Sequence, residues 1–87
     1  LGPVSTAACA HFDLAMPNFG VQELPFAPGT FFKDLFVKQV PFESGHLLPP
    51  TLPGLGLEID ESAIGKYPPL DDRERHLWRE DGSFTNW

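Results

Sequence analysis

The sequence predicts an α/β fold in which one helix is followed by one strand, the unit from which an α/β barrel is built. An Ala-rich amphipathic segment occupies residues 3–15, and a short, partly alternating apolar run follows at residues 19–24. Pro25 ends that run. In a barrel, polar residues at the carboxyl end of a strand face the active site, and Glu23 has that position. The pattern therefore predicts one acidic site residue at the end of a buried strand.

The size of the chain limits what it can bury. Its 87 residues form at most one small domain, which buries only about 60–65% of the surface exposed by the unfolded chain. Eight glycines and ten prolines make an independent core marginal, whereas eight Phe and two Trp are too many for a disordered linker. The chain begins at Leu1 without Met. We interpret it as a piece of a longer protein whose other elements cover these rings; the alternative is a loop-rich small domain.

Charge and composition argue against two classes of partner. The net charge is −6 and only six residues are basic, whereas nucleic-acid binding needs clustered Lys and Arg. No run of 18 apolar residues is present, so we expect no membrane span. A single cysteine, Cys9, excludes an internal disulfide framework and favours a reducing cytoplasmic location.

The predicted helix has a recognisable start and one apolar stripe. Pro3 suits the first helical position, where its missing N–H costs nothing. Helical spacing predicts that the buried stripe consists of Val4, Ala7, Ala8, Phe12 and Ala15. Pro17 and Asn18 are expected to end the helix.

Shorter elements are predicted in the rest of the chain. The apolar cluster Phe31, Phe32, Leu35 and Phe36 has spacing typical of one or two helical turns. Residues 43–45 (Glu-Ser-Gly) predict a hairpin turn, and the Asp-Gly pair at 81–82 predicts a second hairpin. Residues 55–59 alternate as a short strand, and Asp60 is a suitable N-cap for a brief helix over residues 61–66.

Glu23 is the first candidate for chemistry. A carboxyl group at a water-poor barrel mouth can, in its protonated form, donate a proton or a hydrogen bond to a developing oxyanion. The alternative is an ordinary solvated Glu at a strand end, and its position alone does not decide between them.

The remaining polar and aromatic candidates have simpler explanations. His11 is expected to be a partly buried structural residue, and His46 and His76 to be exposed. Asp60 and Glu61 are adjacent and point about 100° apart on a helix, so helix capping explains them better than a shared ion. We find no complete metal site and no nucleophilic dyad with Cys9.

Trp87 is the last residue, so we expect its ring to dock, against a neighbouring surface or over a ligand pocket.

Four runs together resemble a known family. They are LGPVSTAA at residues 1–8, PNFGVQE at 17–23, PGLGLEIDE at 53–61 and DGSFTNW at 81–87. In this order they resemble the C-terminal portion of enolase-superfamily enzymes. The similarity is greatest to the mandelate racemase/muconate lactonizing group, in the sugar-acid dehydratase branch that includes mannonate and galactonate dehydratases.

The resemblance implies a (β/α)₇β TIM-like barrel joined to an α+β capping domain. Residues 1–24 would be the last helix and strand of the barrel, and residues 25–87 would be the C-terminal segment that returns to the capping domain. Members of the family abstract the proton α to a carboxylate and stabilise the enediolate with Mg²⁺. In the dehydratases the β-hydroxyl then leaves, which gives a 2-keto-3-deoxy acid.

By the same resemblance, Glu23 matches a barrel-end Glu that hydrogen-bonds the substrate carboxylate or enediolate, and Trp87 matches a C-terminal Trp near the active site. The Mg²⁺ ligands and the catalytic base would precede Leu1. We therefore expect that this chain alone neither binds Mg²⁺ tightly nor turns over. The expected partners are a small sugar acid and the rest of the parent barrel, in a cytoplasmic homo-oligomer.

Two alternatives remain open from the sequence. One keeps the superfamily but changes the reaction to racemisation or cycloisomerisation. The other is a small acidic, non-catalytic interaction module that binds a partner through Phe31, Phe32 and Phe36.

Overall fold

The computed structural model describes residues 2–69 and 77–85, with one α-helix, one 3₁₀ helix and six short strands. The helix α1 spans Pro3–Ala15 and the 3₁₀ helix spans Glu61–Lys66. The strands are β1 (Phe36–Lys38), β2 (Phe42–Glu43), β3 (His46–Leu47), β4 (Glu58–Ile59), β5 (Leu77–Trp78) and β6 (Phe84–Thr85).

Helix α1 begins and ends where the sequence predicts, but it buries a different face. Pro3 lies in the first turn, and the helix is closed at its end by a hydrogen bond from the Met16 N–H to the Asp13 carbonyl (3.1 Å). Its buried residues are Thr6, Ala7 and Ala10. Of the predicted stripe only Ala7 is buried; Phe12 is 62% exposed.

The helix turns its small residues inward because of what packs against it. Ala7 and Ala10 form the central cluster with Val40, and Leu47 and Leu57 pack at its margin. Small side chains let the segment around Val40 come close to the helix axis. The bulkier Val4 and Phe12 then face a side that the described residues leave uncovered.

Residues 19–24 do not form the predicted strand, and this prediction is wrong for the chain as it stands. No backbone–backbone hydrogen bond joins residues 20–24 to another described residue, and Val21 is 91% exposed. A strand needs a neighbouring strand to pair its N–H and C=O groups. None of the six strands pairs with this segment.

The six strands form three separate antiparallel pairs, two of which are the predicted hairpins. In the first hairpin Phe42 lies opposite Leu47. Ser44 and Gly45 both have positive φ (49° and 81°), which is the backbone of a type I′ turn. In the second hairpin Trp78 lies opposite Phe84, and Gly82 adopts φ 80° in the turn.

The third pair joins segments that are distant in sequence. β1 pairs with β4 through Phe36 opposite Ile59 and Lys38 opposite Glu58. Only the last two residues of the predicted strand at 55–59 are strand. The apolar cluster predicted as helical turns contains a single turn, closed by a hydrogen bond from the Phe36 N–H to the Phe32 carbonyl (2.7 Å). β1 begins at the same residue, because its partner strand β4 is available there.

The core is small and most of the large apolar side chains lie outside it. Among the described residues, the buried hydrophobic side chains are Ala7, Ala10, Val40 and Ala63. Phe26, Phe31 and Phe32 are all more than a third exposed, as is Trp78. Within the described part of the chain, no helix has the length and apolar character that crossing a bilayer requires.

Gly56 occupies a tight backbone position beside Pro50. Its φ is +76°, and a Cβ placed there would lie 2.7 Å from the Pro50 Cβ. The turn that contains it is closed by a hydrogen bond from the Gly56 N–H to the Pro53 carbonyl (3.2 Å). Both the backbone conformation and the contact with Pro50 require a residue without a side chain.

We therefore expect Gly56→Ala to lower the free energy of unfolding by about 1–3 kcal/mol, measured by urea unfolding with far-UV circular dichroism. Gly54→Ala separates the two causes, because Gly54 also has positive φ (+65°) but has open space within 4 Å of the point that a Cβ would occupy. Gly54→Ala should cost less than Gly56→Ala. Equal losses at the two glycines would mean that the approach of Pro50 does not matter.

Candidate functional site

Glu23 lies between α1 and the loop that begins at Pro25, on a segment that is neither helix nor strand. Its side chain is exposed, and within residues 2–69 and 77–85 it has neither a hydrogen-bond partner nor an ion-pair partner. Trp87, the other predicted site residue, lies outside the described residues. The structure therefore presents Glu23 as an accessible carboxylate, with no second predicted site residue placed beside it.

Two described side chains contain buried polar atoms without hydrogen-bond partners, and sequence reasoning did not single out one of them. Gln22, directly before Glu23, has both its side-chain oxygen and nitrogen buried with no hydrogen-bond partner in the described structure. His11 is partly buried, as expected, and its Nε2 is also buried with no hydrogen-bond partner in the described structure. A buried polar atom left unpaired costs about 1–3 kcal/mol. These atoms therefore mark positions where a further hydrogen-bonding group would stabilise the chain.

The segment that carries Glu23 leads into a largely apolar cleft. The cleft lies between the start of α1 and the loop at residues 25–32, which we call the 25–32 loop. It is lined by Gly2, Pro3, Thr6, Pro25, Phe26, Ala27, Pro28, Phe31, Phe32, Gln39 and Val40. The rings of Phe26 and Phe31 pack with centroids 4.1 Å apart on one wall. Glu23 precedes the first residue of this loop by two positions.

Asp34 forms the main charged cluster of the described structure, and it lies away from Glu23 in sequence. Its carboxylate accepts hydrogen bonds from the Lys66 ammonium (2.8 Å) and from the Tyr67 hydroxyl. The bond from Lys66, followed by that from Tyr67, lowers the pKa of Asp34 to about 2. The same contacts with Asp34 raise the pKa of both Lys66 and Tyr67. The cluster joins the turn before β1 to the end of the 3₁₀ helix.

Asp60 has the capping role that the sequence predicts. Its Oδ1 accepts hydrogen bonds from the Ser62 N–H (3.0 Å) and the Ser62 hydroxyl (2.6 Å). These two bonds lower the pKa of Asp60, the hydroxyl bond contributing most. Asp81 binds Ser83 in the same way in the second hairpin, with the same direction of pKa change.

The remaining candidates do not assemble into a site. His46 is exposed, as expected, and its Nδ1 lies 2.9 Å from the Ser44 carbonyl oxygen. His76 lies outside the described residues. No three His, Cys, Asp or Glu side chains in the described ranges are placed so that they could hold a metal ion. The described residues therefore do not fit the Mg²⁺ implied by the resemblance.

Comparison with known proteins provides a family match. The model of the family described as "Enolase C-terminal domain-like" matches residues 1–63. This match includes α1, Glu23, the cleft and the β1–β4 pair. No solved structure matches the chain significantly.

Curated relatives match the chain along its whole length. It is 41% identical to a D-mannonate dehydratase of Rhizorhabdus wittichii over 90 residues and 39% identical to one of a Caulobacter species over 88 residues. It is 40% identical over 89 residues to a D-galactonate dehydratase family member of Chromohalobacter salexigens. In each case the whole chain is covered, together with 21% of the relative. The chain thus spans about a fifth of the length of these relatives.

The Asp34 cluster predicts an acid-sensitive stability. Because the pKa of Asp34 falls from the usual 3.8 to about 2 on folding, the stabilisation is complete above about pH 4. It is lost as the pH falls from about 4 to about 2. We expect Asp34→Asn to remove this part of the pH dependence, measured as the free energy of unfolding between pH 2 and pH 6.

Glu80→Gln provides a matched control for that measurement, because Glu80 is an exposed residue of the second hairpin turn. This variant should retain the loss of stability below pH 4. A wild-type protein and an Asp34→Asn variant with parallel acid profiles would contradict the assignment.

Proposed function

The chain belongs to the enolase C-terminal domain-like family, and from this membership we propose that it forms the C-terminal part of an acid-sugar dehydratase. The observation that supports this most directly is a sequence identity of about 40% over the whole chain. The relatives concerned are named D-mannonate dehydratase and D-galactonate dehydratase family member. The reaction would be that of a hydro-lyase. The proton α to the carboxylate of a sugar acid is removed, and the β-hydroxyl leaves as water to give a 2-keto-3-deoxy acid.

Within this proposal, residues 1–24 are the last helix and strand of the barrel, and residues 25–87 return to the capping domain. The lack of backbone pairing in residues 20–24 supports this division of the chain into a barrel part and a capping-domain part. These residues form neither helix nor strand, and they lack backbone partners among the described residues. The exposed Val21 and the unpaired amide of Gln22 lie in the same stretch. Neighbouring barrel elements would cover the apolar side chain of Val21, and a neighbouring barrel strand would supply backbone hydrogen-bonding groups to the segment.

Glu23 is the residue of this chain that we assign to the reaction. Its carboxylate is accessible and is not engaged with any described residue, so it is available to a substrate. Placed at the mouth of a closed barrel, its carboxyl group would, when protonated, donate a hydrogen bond to the substrate carboxylate or to the enediolate that forms from it. Packing against the rest of the barrel would remove water from around it and strengthen that interaction.

The other components of the proposed enzyme lie outside this chain. Mg²⁺, as implied by the family resemblance, would be held by residues that precede Leu1, and it would stabilise the enediolate. The proposed enzyme is a cytoplasmic homo-oligomer that acts on a free sugar acid. Trp87 is proposed to contact that substrate.

A second function has one observation in its favour. Phe26, Phe31 and Phe32 form a partly exposed aromatic surface, and Phe36 lies half-buried beside it. A non-catalytic interaction module would bind a partner through these rings. In the dehydratase the same rings are covered by the rest of the protein. Turnover of sugar acids by the full-length protein separates the two functions.

The role of Glu23 is tested by Glu23→Gln in the full-length protein that contains this chain. The amide keeps the size of the side chain but removes its acid and its charge. We expect kcat for D-mannonate to fall by about 100-fold or more, with the circular dichroism spectrum and melting temperature unchanged.

Glu43→Gln is the matched control, because Glu43 is an exposed glutamate of the first hairpin and the substitution is the same. It should leave kcat unchanged. A Glu23→Gln enzyme with wild-type turnover would remove this residue from the mechanism.

The role of Trp87 is tested by Trp87→Ala in the same protein. If its ring contacts the sugar acid, the loss of that contact should raise KM by about tenfold, measured by steady-state kinetics. Trp78→Ala is the control, because Trp78 instead packs on Phe84 with ring centroids 4.2 Å apart. Equal effects of the two substitutions on KM would argue against a substrate contact by Trp87.

A further inference from the structure

Gln39 is a residue to which the proposed reaction gives no role, and both ends of its side-chain amide bind one loop. Its Oε1 accepts a hydrogen bond from the Gly29 N–H, and its Nε2 donates one to the Phe31 carbonyl, both at 3.0 Å. The amide therefore pairs with the backbone of the 25–32 loop on both its donor and acceptor sides. This is the pairing that an adjacent strand would otherwise provide.

The backbone that carries Gln39 is held in place on both sides. Lys38 is the last residue of β1, which pairs with β4. Val40 is 3% exposed and belongs to the central cluster with Ala7 and Ala10. Gln39 is therefore a fixed point against which a less constrained loop can be positioned.

Apart from Gln39, the 25–32 loop contacts a distant residue through the Phe32 ring, which packs edge to face on Tyr67 with ring centroids 5.1 Å apart. Its internal bonds are local, from the Thr30 N–H (3.2 Å) and the Thr30 hydroxyl (2.6 Å) to the Ala27 carbonyl. Phe32 has positive φ (53°), an unfavourable region for a bulky residue, so the loop adopts a backbone that needs external contacts to persist. The two hydrogen bonds with Gln39 are such contacts, and they join residues that are eight and ten positions apart in the sequence.

The loop also connects directly to the proposed site. It starts two residues after Glu23, and its residues line the cleft together with Pro3, Thr6 and Gln39. In a barrel enzyme, the loop that follows a strand forms part of the substrate-binding face. The position of the loop would therefore affect how substrate is held beside Glu23.

We propose that Gln39 is a positioning residue for substrate binding, which acts by fixing the 25–32 loop next to Glu23. This inference rests on the proposed function. Gln39 acts through the loop backbone and is not assigned a contact with the reacting atoms. Its loss should therefore weaken the binding of substrate and transition state about equally, which raises KM and leaves kcat nearly unchanged.

The test uses the full-length protein that contains this chain, with Gln39→Leu, which removes both hydrogen bonds at similar size. Hydrogen exchange in residues 25–32 should become about tenfold faster, and KM for D-mannonate should rise about tenfold with kcat within about twofold of wild type. Gln39→Glu keeps the acceptor for Gly29 but loses the donor to Phe31, so it should give an intermediate result. It also provides the test if Gln39→Leu does not fold.

Lys38→Met is the matched control, since it breaks the neighbouring ion pair with Glu58 and leaves the loop contacts in place. It should match wild type in loop exchange and in KM. Unchanged exchange in Gln39→Leu, faster exchange with unchanged KM, or equal effects of Lys38→Met would each overturn the inference. If the wild-type protein dehydrates no sugar acid, the proposed function is wrong, and the exchange result then supports or overturns the contact between Gln39 and the loop by itself.

Discussion

The pairing of β1 with β4 is the constraint on which the described fold depends. It joins residues 36–38 to residues 58–59, and a hydrogen bond from the Asp60 N–H to the Leu35 carbonyl (2.8 Å) extends it by one step. The bonds of Asp34 to Lys66 and Tyr67 reinforce the same junction. Without it, the 3₁₀ helix and the segment that carries Gln39 would have no fixed relation to each other. The Lys38–Glu58 ion pair adds little, because both side chains are about half exposed.

Hydrogen bonds from polar side chains hold turns and loops in place, a role that a larger hydrophobic core would have in a bigger domain. The buried cluster contains two alanines and one valine, so burial of apolar area stabilises the chain only modestly. Gln39, Asp34 and Asp60 each bind two groups at once and thereby fix a turn or a loop. Such contacts define the geometry of the loops, while several large aromatic rings remain at the surface.

The stretch at residues 19–24 connects the structural and the functional conclusions. It lacks strand partners in the described chain, contains the unpaired amide of Gln22, and ends beside the accessible carboxylate of Glu23. The missing strand partners and the accessible carboxylate have one physical cause, since none of the described strands lies alongside this segment. The side-chain amide of Gln22 is instead buried without a partner. Because no described strand lies beside residues 19–24, Glu23 is exposed to solvent. In the proposed enzyme, neighbouring barrel strands would both pair with this segment and remove water from around Glu23.

Local sequence was enough to predict the elements that depend on a few adjacent residues. Pro3 begins α1, Ser44 and Gly45 form the first hairpin turn, Gly82 belongs to the second, and Asp60 caps the 3₁₀ helix. These features follow from local backbone preferences and short hydrogen bonds, so neighbours in sequence suffice to predict them. Tertiary packing was needed to establish which face of α1 is buried, that β1 pairs with β4, and that Gln39 and Asp34 hold distant segments. It also leaves residues 20–24 without a backbone partner among the described residues. Each of these outcomes depends on which other segment lies alongside, and the periodicity of one segment contains no information about its neighbour.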